Sequence, residues 1–209
     1  MKGIISMLTA IIHGFVLAFG LILPLGVQNV FIFNQGAQQK TFVKALPAVV
    51  TASLCDTMLI LLAVLGVSVV VLANAVLKTV LLGAGILFLI YMGFVIFRSK
   101  PASQEGAAAT KYAPRKQILF AASVSLLNPH AILDTIGVIG TSSISYSGQN
   151  KWAFSAACIV VSWLWFTGLA WVGKVTGELK SAGTLAAINK VSALIIWGTA
   201  LFLFFDHFL

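Results

Sequence analysis

The chain has 209 residues, of which 60% are hydrophobic and only 9% charged, and its mean hydropathy is +1.05. A soluble domain carries charge on about a quarter of its residues, so a soluble fold is excluded; no phosphate loop, nucleophile elbow or paired-carboxylate site of a soluble enzyme is present either. The formal net charge of +8 does not mark a nucleic-acid surface, because the cations sit at the edges of apolar runs, as in a membrane protein.

A spanning helix needs about 20 predominantly apolar residues. Six runs qualify, near 4–33, 45–73, 75–97, 117–143, 152–173 and 186–206. The first starts Met1-Lys2-Gly3, like a signal peptide. It is too long for one, and no small-x-small cleavage site leads into a polar chain. It reads as a retained helix. Within it, Pro24 removes a backbone donor and Gly26 removes a side chain. A break is expected there. Gln28 and Asn29 follow, with amide donors and acceptors that suit a zwitterion; interhelical hydrogen bonding is the plainer use of either residue alone.

The second run holds Asp56 about a dozen residues from its start. An acid near the bilayer midplane costs about 3 kcal/mol and rarely lacks a partner or a function. Residues 99–116, rich in Pro, Gly, Ser and Ala, are the only long polar stretch and read as a flexible linker. They divide the chain into residues 1–98, with three runs, the linker 99–116, and residues 117–209, with three more. Three is odd, so the second half enters the membrane from the opposite side.

The fourth run is broken at Asn128-Pro129. Asn is a favoured N-cap and Pro a favoured first helical residue, so the pair is expected to start a half-helix whose free N–H groups can receive a carboxylate. A simple proline kink is the alternative; the matching break at Pro24, 105 residues earlier, favours the half-helix. His130 and Asp134 lie four apart on it and share a face. The same offset carries Asp56 to Val161, beside Ser162 in the fifth run. Lys78 and Lys190 stand near the ends of their runs, and no Lys or Arg lies deep inside any run to neutralise the two acids. The missing cation is a substrate, a proton or a metal ion, unless both acids are protonated and hydrogen-bonded. Trp152, Trp163, Trp165, Trp171 and Trp197 cluster in the second half. Most suit the interface; Trp165 lies deeper and can pack or wall a cation site.

Lys40, Lys44, Arg98, Lys100, Lys111, Arg115, Lys116, Lys174, Lys180 and Lys190 fall on one side, against Lys2, Lys78 and Lys151 on the other. The positive-inside rule puts the first side in the cytoplasm and both termini in the periplasm. The reading is therefore an all-α integral membrane protein, with six transmembrane helices in two inverted three-helix repeats and broken helices one and four.

Four segments carry a resemblance: Ile22–Gly36, Ser53–Asp56, Leu126–Asp134 and Ser162–Phe166. Together they resemble the LysE family of amino-acid exporters, especially its arginine-exporting branch. The resemblance spans nearly the whole chain. It implies export of arginine, lysine or close analogues across the bacterial plasma (inner) membrane, driven by the proton-motive force. Its Pro-Gly-Pro-like motif falls on Pro24, Gly26 and Val27, where the second proline is replaced; its Asn-Pro motif falls on Asn128-Pro129, and its two acids on Asp56 and Asp134. The expected partners are a basic amino acid, protons and the lipid bilayer, with room for a homodimer and no nucleic acid. No cofactor or bound metal is expected.

The expected substrate site is Asp56, Asp134, Gln28, Asn29, Asn128, His130, Ser162 and Trp165, hinged at Pro24, Gly26 and Pro129. Rival readings are export of neutral amino acids, export of divalent metal ions with Cys55 or His130 as ligands, and electron transfer between Cys55 and Cys158. The absence of any Cys-x-x-Cys weighs against the last.

Overall fold

The computed structural model describes residues 2–23, 26–66, 75–98, 113–179 and 182–208. The described residues are almost entirely helical. Helix α1 (Lys2–Ile22) is followed by α2 (Val27–Gln38), a 3-10 turn (Phe42–Ala45), α3 (Leu46–Val64) and α4 (Ala75–Phe97). The second part holds α5 (Pro114–Leu126), α6 (Pro129–Leu133), a π-helical stretch (Asp134–Gly140) and a last turn α7 (Thr141–Ser143). The long α8 (Gly148–Leu179) and α9 (Ala182–Phe208) complete it.

Both expected breaks are present. The residue before a proline is pushed out of the helical region, and Leu23 and Asn128, which precede Pro24 and Pro129, both leave the helix. Pro24 itself lies outside the described residues. The helix restarts at Val27 from an extended Gly26, with Val30 N–H donating to Gly26 O at 3.1 Å. Gln28 and Asn29 therefore stand in the first turn of α2 rather than in the gap. At the second break Leu127 N–H still donates to Ser123 O at 2.9 Å, and Ile132 N–H begins the new helix on Asn128 O at 3.1 Å. The axis turns by 61° there. Helix α3 ends at Val64, and the rest of the second run beyond Gly66 lies outside the described residues. After Val64 comes Gly66 with φ of +100°, a left-handed stop that suits glycine.

Among the described residues, three helical spans are long and apolar enough to cross a bilayer: Gly3–Ile22, Phe42–Val64 and Gly148–Gly177. The bent pair Pro114–Leu126 and Ala131–Ser143 makes a fourth if counted as one span, and Leu82–Phe97 and Lys190–Phe202 are shorter apolar stretches. Many large apolar side chains face outward, among them Ile4, Leu8, Val16, Leu87, Leu164 and Phe202. This is the surface of a protein whose solvent is lipid.

Packing crosses between the two parts of the chain. Helices α1 and α2 both lie against α8, and α5 and the π stretch lie against α3. Helices α3 and α8 also touch each other, and α4 pairs with α9. The α2–α8 contact brings the two backbones together. A Cβ on Gly36 would stand 2.0 Å from Ala170 O, one on Gly173 2.2 Å from Phe33 O, and one on Gly177 2.4 Å from Ala37 O. Small residues at such a crossing let helices associate where lipid offers no hydrophobic drive. At the far end, Lys174 Nζ donates to Gln39 O at 3.2 Å and Lys40 O at 3.0 Å. It satisfies carbonyls beyond the C-terminus of α2, where a cation also suits the helix dipole.

A polar cavity between the two helix breaks

Each break leaves helix ends inside an apolar bundle. Backbone polar groups at such depth need protein partners or a cavity. Both are found. Asn29 Nδ2 donates to Ile22 O at 2.8 Å, closing the end of α1, and Trp165 Nε1 donates to Asn29 Oδ1 at 3.0 Å. Phe19 meets the Trp165 ring edge-on, with centroids 5.7 Å apart. The first break is thus held to α8 by one amide and one indole.

The remaining ends open into a cavity of about 170 Å³. Its polar wall is Gln28, Asn29, Asp56, Asn128, Asp134, Thr135 and Ser162. Its aliphatic wall includes Ile60, Leu89, Ile139, Ile195 and Ile196. Gly26 and Asn128 both line it, and a Cβ on Gly26 would come within 3.9 Å of Asn128 Nδ2. The starts of the two half-helices therefore lie next to each other at the cavity wall.

Asp56 is the best-defined group. Gln28 Nε2 donates to its Oδ1 at 3.0 Å, and Ser162 Oγ to its Oδ2 at 2.6 Å. The Gln28 amide also donates to Ser125 Oγ at 3.0 Å. One residue further on, Trp163 Nε1 donates to Thr57 Oγ1 at 3.1 Å. Helices α3 and α8 are thus stitched by two successive bonds, each joining residues 106 apart. Asp134 enters the cavity from the first residue of the π stretch. Such π segments are frequent at functional sites. Among the described residues the lining holds two carboxyl groups and no Lys or Arg.

Most of the sequence-derived site comes together here. Gln28, Asn29, Asp56, Asn128, Asp134 and Ser162 all line the cavity, with Gly26 at its edge. Trp165 is not in the lining; it acts behind it, on Asn29. The side chains of Pro129 and His130 lie outside the described residues. Sequence reasoning missed Ser125, Thr57 and Thr135. Ser125 stands three residues before Asn128, a spacing that flags one helical face. Cys55 and Cys158 are free thiols, Cys158 lining the cavity and donating to Gly14 O at 3.4 Å. No group of three or more His, Cys, Asp or Glu gathers among the described residues.

Two interrupted helices meeting at a polar cavity inside an apolar bundle are the arrangement of a membrane transporter. Residues 19–207 match the LysE type translocator family, and the chain belongs to that family. It is 59% identical over 194 residues to "Putative amino-acid transporter YisU" of Bacillus subtilis (strain 168), covering 92% of this chain and 88% of that protein. It is 32% identical over 201 residues to "Putative amino-acid transporter YggA" of Aeromonas salmonicida, covering 93% and 95%. It is 30% identical over 193 residues to the arginine exporter protein ArgO of Escherichia coli (strain K12), covering 90% of each. No solved structure matches. The protein is a multi-pass membrane transporter of amino acids and not an enzyme.

Proposed function

We propose that the protein exports basic amino acids, arginine foremost, from the bacterial cytoplasm across the plasma (inner) membrane by alternating access, driven by the proton-motive force. The observation that carries this reading is the pair Asp56 and Asp134 in one cavity whose described lining holds no Lys or Arg. A buried uncompensated charge costs far more than a paired one. A cationic side chain supplies the pairing, and a guanidinium can meet a carboxylate bidentately where an ammonium cannot. The adjacent half-helix starts at Gly26-Val27 and Asn128-Pro129 receive the substrate α-carboxylate. Gln28 and Ser162 aim Asp56, and Asn29 with Trp165 holds the first break. One of the two acids also carries the coupling proton.

The crossed packing supports two inverted repeats of three helices. The broken helix of each half lies on the second helix of the other, and the third helices pair. Bonds between residues 106 apart, beside an offset of 105 for the two prolines, are what a pseudo-two-fold axis between α3 and α8 produces. The Lys and Arg bias supports a cytoplasmic side for Lys40, Lys44 and Lys174, with both termini outside.

The aliphatic wall of Ile60, Leu89, Ile195 and Ile196 favours a second reading, a neutral aliphatic amino acid with both acids serving proton coupling alone. Counterflow of labelled arginine in proteoliposomes separates the two. Arginine should compete best, lysine less well, leucine and threonine weakly. Leucine competing as well as arginine would replace the first reading by the second.

A further inference from the structure

Between the cavity and the lysine-rich face, α2, α3 and α5 each carry polar side chains into an otherwise apolar bundle. Gln28 and Gln35 lie two turns apart on α2, Asp56 and Ser53 one turn apart on α3, and Ser125 and Gln117 about two turns apart on α5. Gln28, Asp56 and Ser125 are joined by hydrogen bonds and mark one level. At a rise of about 1.5 Å per residue, Ser53 lies about 4.5 Å below it, Gln35 about 10 Å and Gln117 about 12 Å. Gln117 Nε2 then donates to Lys44 O at 3.0 Å, at the mouth of the bundle.

Two of these groups are anomalous as core. Ser53 is fully buried and Gln35 is 2% exposed, yet Ser53 Oγ and Gln35 Oε1 meet no hydrogen-bond partner among the described residues. Buried polar atoms are nearly always paired, with protein or with ordered water. The apolar side chains packed between these helices include Ala48, Ala52 and Ala121, together with Phe31, Ile32 and Val49. Along the helix axes the steps from Asp56 to Ser53 and from Ser53 to Gln35 are about 4.5 and 6 Å, and one water bridges polar atoms about 5–6 Å apart.

We propose that α2, α3 and α5 enclose a hydrated polar track that carries protons between Asp56 and the lysine-rich face, with Ser53 and Gln35 as its inner stations. The proposal rests on the reading of Asp56 as a proton-carrying acid. The protonated carboxyl passes its proton to the adjacent water and becomes a carboxylate, still held by Gln28 and Ser162. The excess proton moves from water to water and leaves at the cytoplasmic mouth. The Ser53 hydroxyl both donates and accepts, so it relays. The Gln35 carbonyl only accepts, so it fixes a water in place.

The test compares two transport modes in proteoliposomes. Exchange of arginine for arginine needs no net proton release; uphill flux driven by an imposed pH gradient does. Ser53→Ala and Gln35→Met should lower gradient-driven flux about tenfold, with exchange kept within about twofold, and Ser53→Thr should restore the gradient-driven mode. Unchanged gradient-driven flux in Ser53→Ala and Gln35→Met, or a Ser53→Thr as deficient as Ser53→Ala, would overturn the track. Wild-type vesicles without arginine exchange would refute the exporter reading instead. Hydration is read independently of any substrate. In a Cys55→Ala, Cys158→Ala background, Ser53→Cys should be modified within minutes by 2-aminoethyl methanethiosulfonate applied to the lysine-rich face, seen as a mass shift. A thiol untouched after hours would mean a dry core and no track.

Discussion

Asp56→Asn removes a charge and almost nothing else. Asp56 accepts from Gln28 on one oxygen at 3.0 Å and from Ser162 on the other at 2.6 Å. An asparagine keeps its carbonyl towards Gln28 and turns its amide towards Ser162, whose hydroxyl rotates to accept. Both contacts survive, so thermal unfolding in detergent should stay within a few degrees of wild type or rise, since an intramembrane acid is costly. What is lost is one charge-assisted contact to the substrate cation, worth about 1.5–3 kcal/mol. That converts to a half-saturation for arginine about 10- to 150-fold higher. Counterflow in proteoliposomes measures it, with the unfolding curve as the control for integrity. Asp134→Asn should act similarly from the other half of the chain. Wild-type half-saturation in both variants would refute charge pairing as the basis of recognition.

Other expectations are simpler. Gly173→Ala should cost about 1–3 kcal/mol, because its Cβ meets Phe33 O at 2.2 Å, whereas Gly168→Ala, which meets nothing within 4 Å on the same helix, should be neutral or slightly stabilising; thermal unfolding compares them, and equal losses would contradict the packing. Trp165→Phe deletes the indole donor to Asn29 and should cost about 1 kcal/mol while slowing counterflow; a variant with wild-type unfolding and exchange would show that the first break needs no support from α8. Reporter fusions at Leu209 and within 99–116 should report a periplasmic end and a cytoplasmic linker. A cytoplasmic Leu209 would sink the orientation.

The legible part of the site was the part that violates hydropathy. Pro24, Asp56, Asn128-Pro129 and Asp134 stand out in apolar runs, and a pattern of exceptions can be read along one dimension. Ser162 was found only because the offset between the prolines carried Asp56 to its neighbour. The aliphatic wall of Leu89, Ile195 and Ile196 left no such mark, because every residue around them in the third and sixth runs is equally apolar. The choice between the two roles open to Trp165 was not legible for a related reason: its depth was visible, but its direction, towards Asn29 and away from the cavity, depends on how α8 is turned. The motif Gly173-x-x-x-Gly177 was present as a signal for close helix approach and went unread beside the acids. The partnerless Gln35 had no signature at all, since nothing in a sequence distinguishes a paired glutamine from an unpaired one.

The glycine seam between α2 and α8 has a mechanical consequence. Backbones already in contact at Gly36, Gly173 and Gly177 have no side-chain layer to compress or shear, and Lys174 clamps their end. The two helices behave as one beam. Across the cavity, α4 and α9 meet α2 and α5 through Ile86, Leu89, Ile196, Val27, Val30 and Val124. Such aliphatic contacts have no preferred direction and re-form after a slide of an ångström or two. Stiffness on one flank and slip on the other leave the bundle a single compliant side, so any breathing of the cavity is borne by the α4–α9 pair and not shared evenly around the ring.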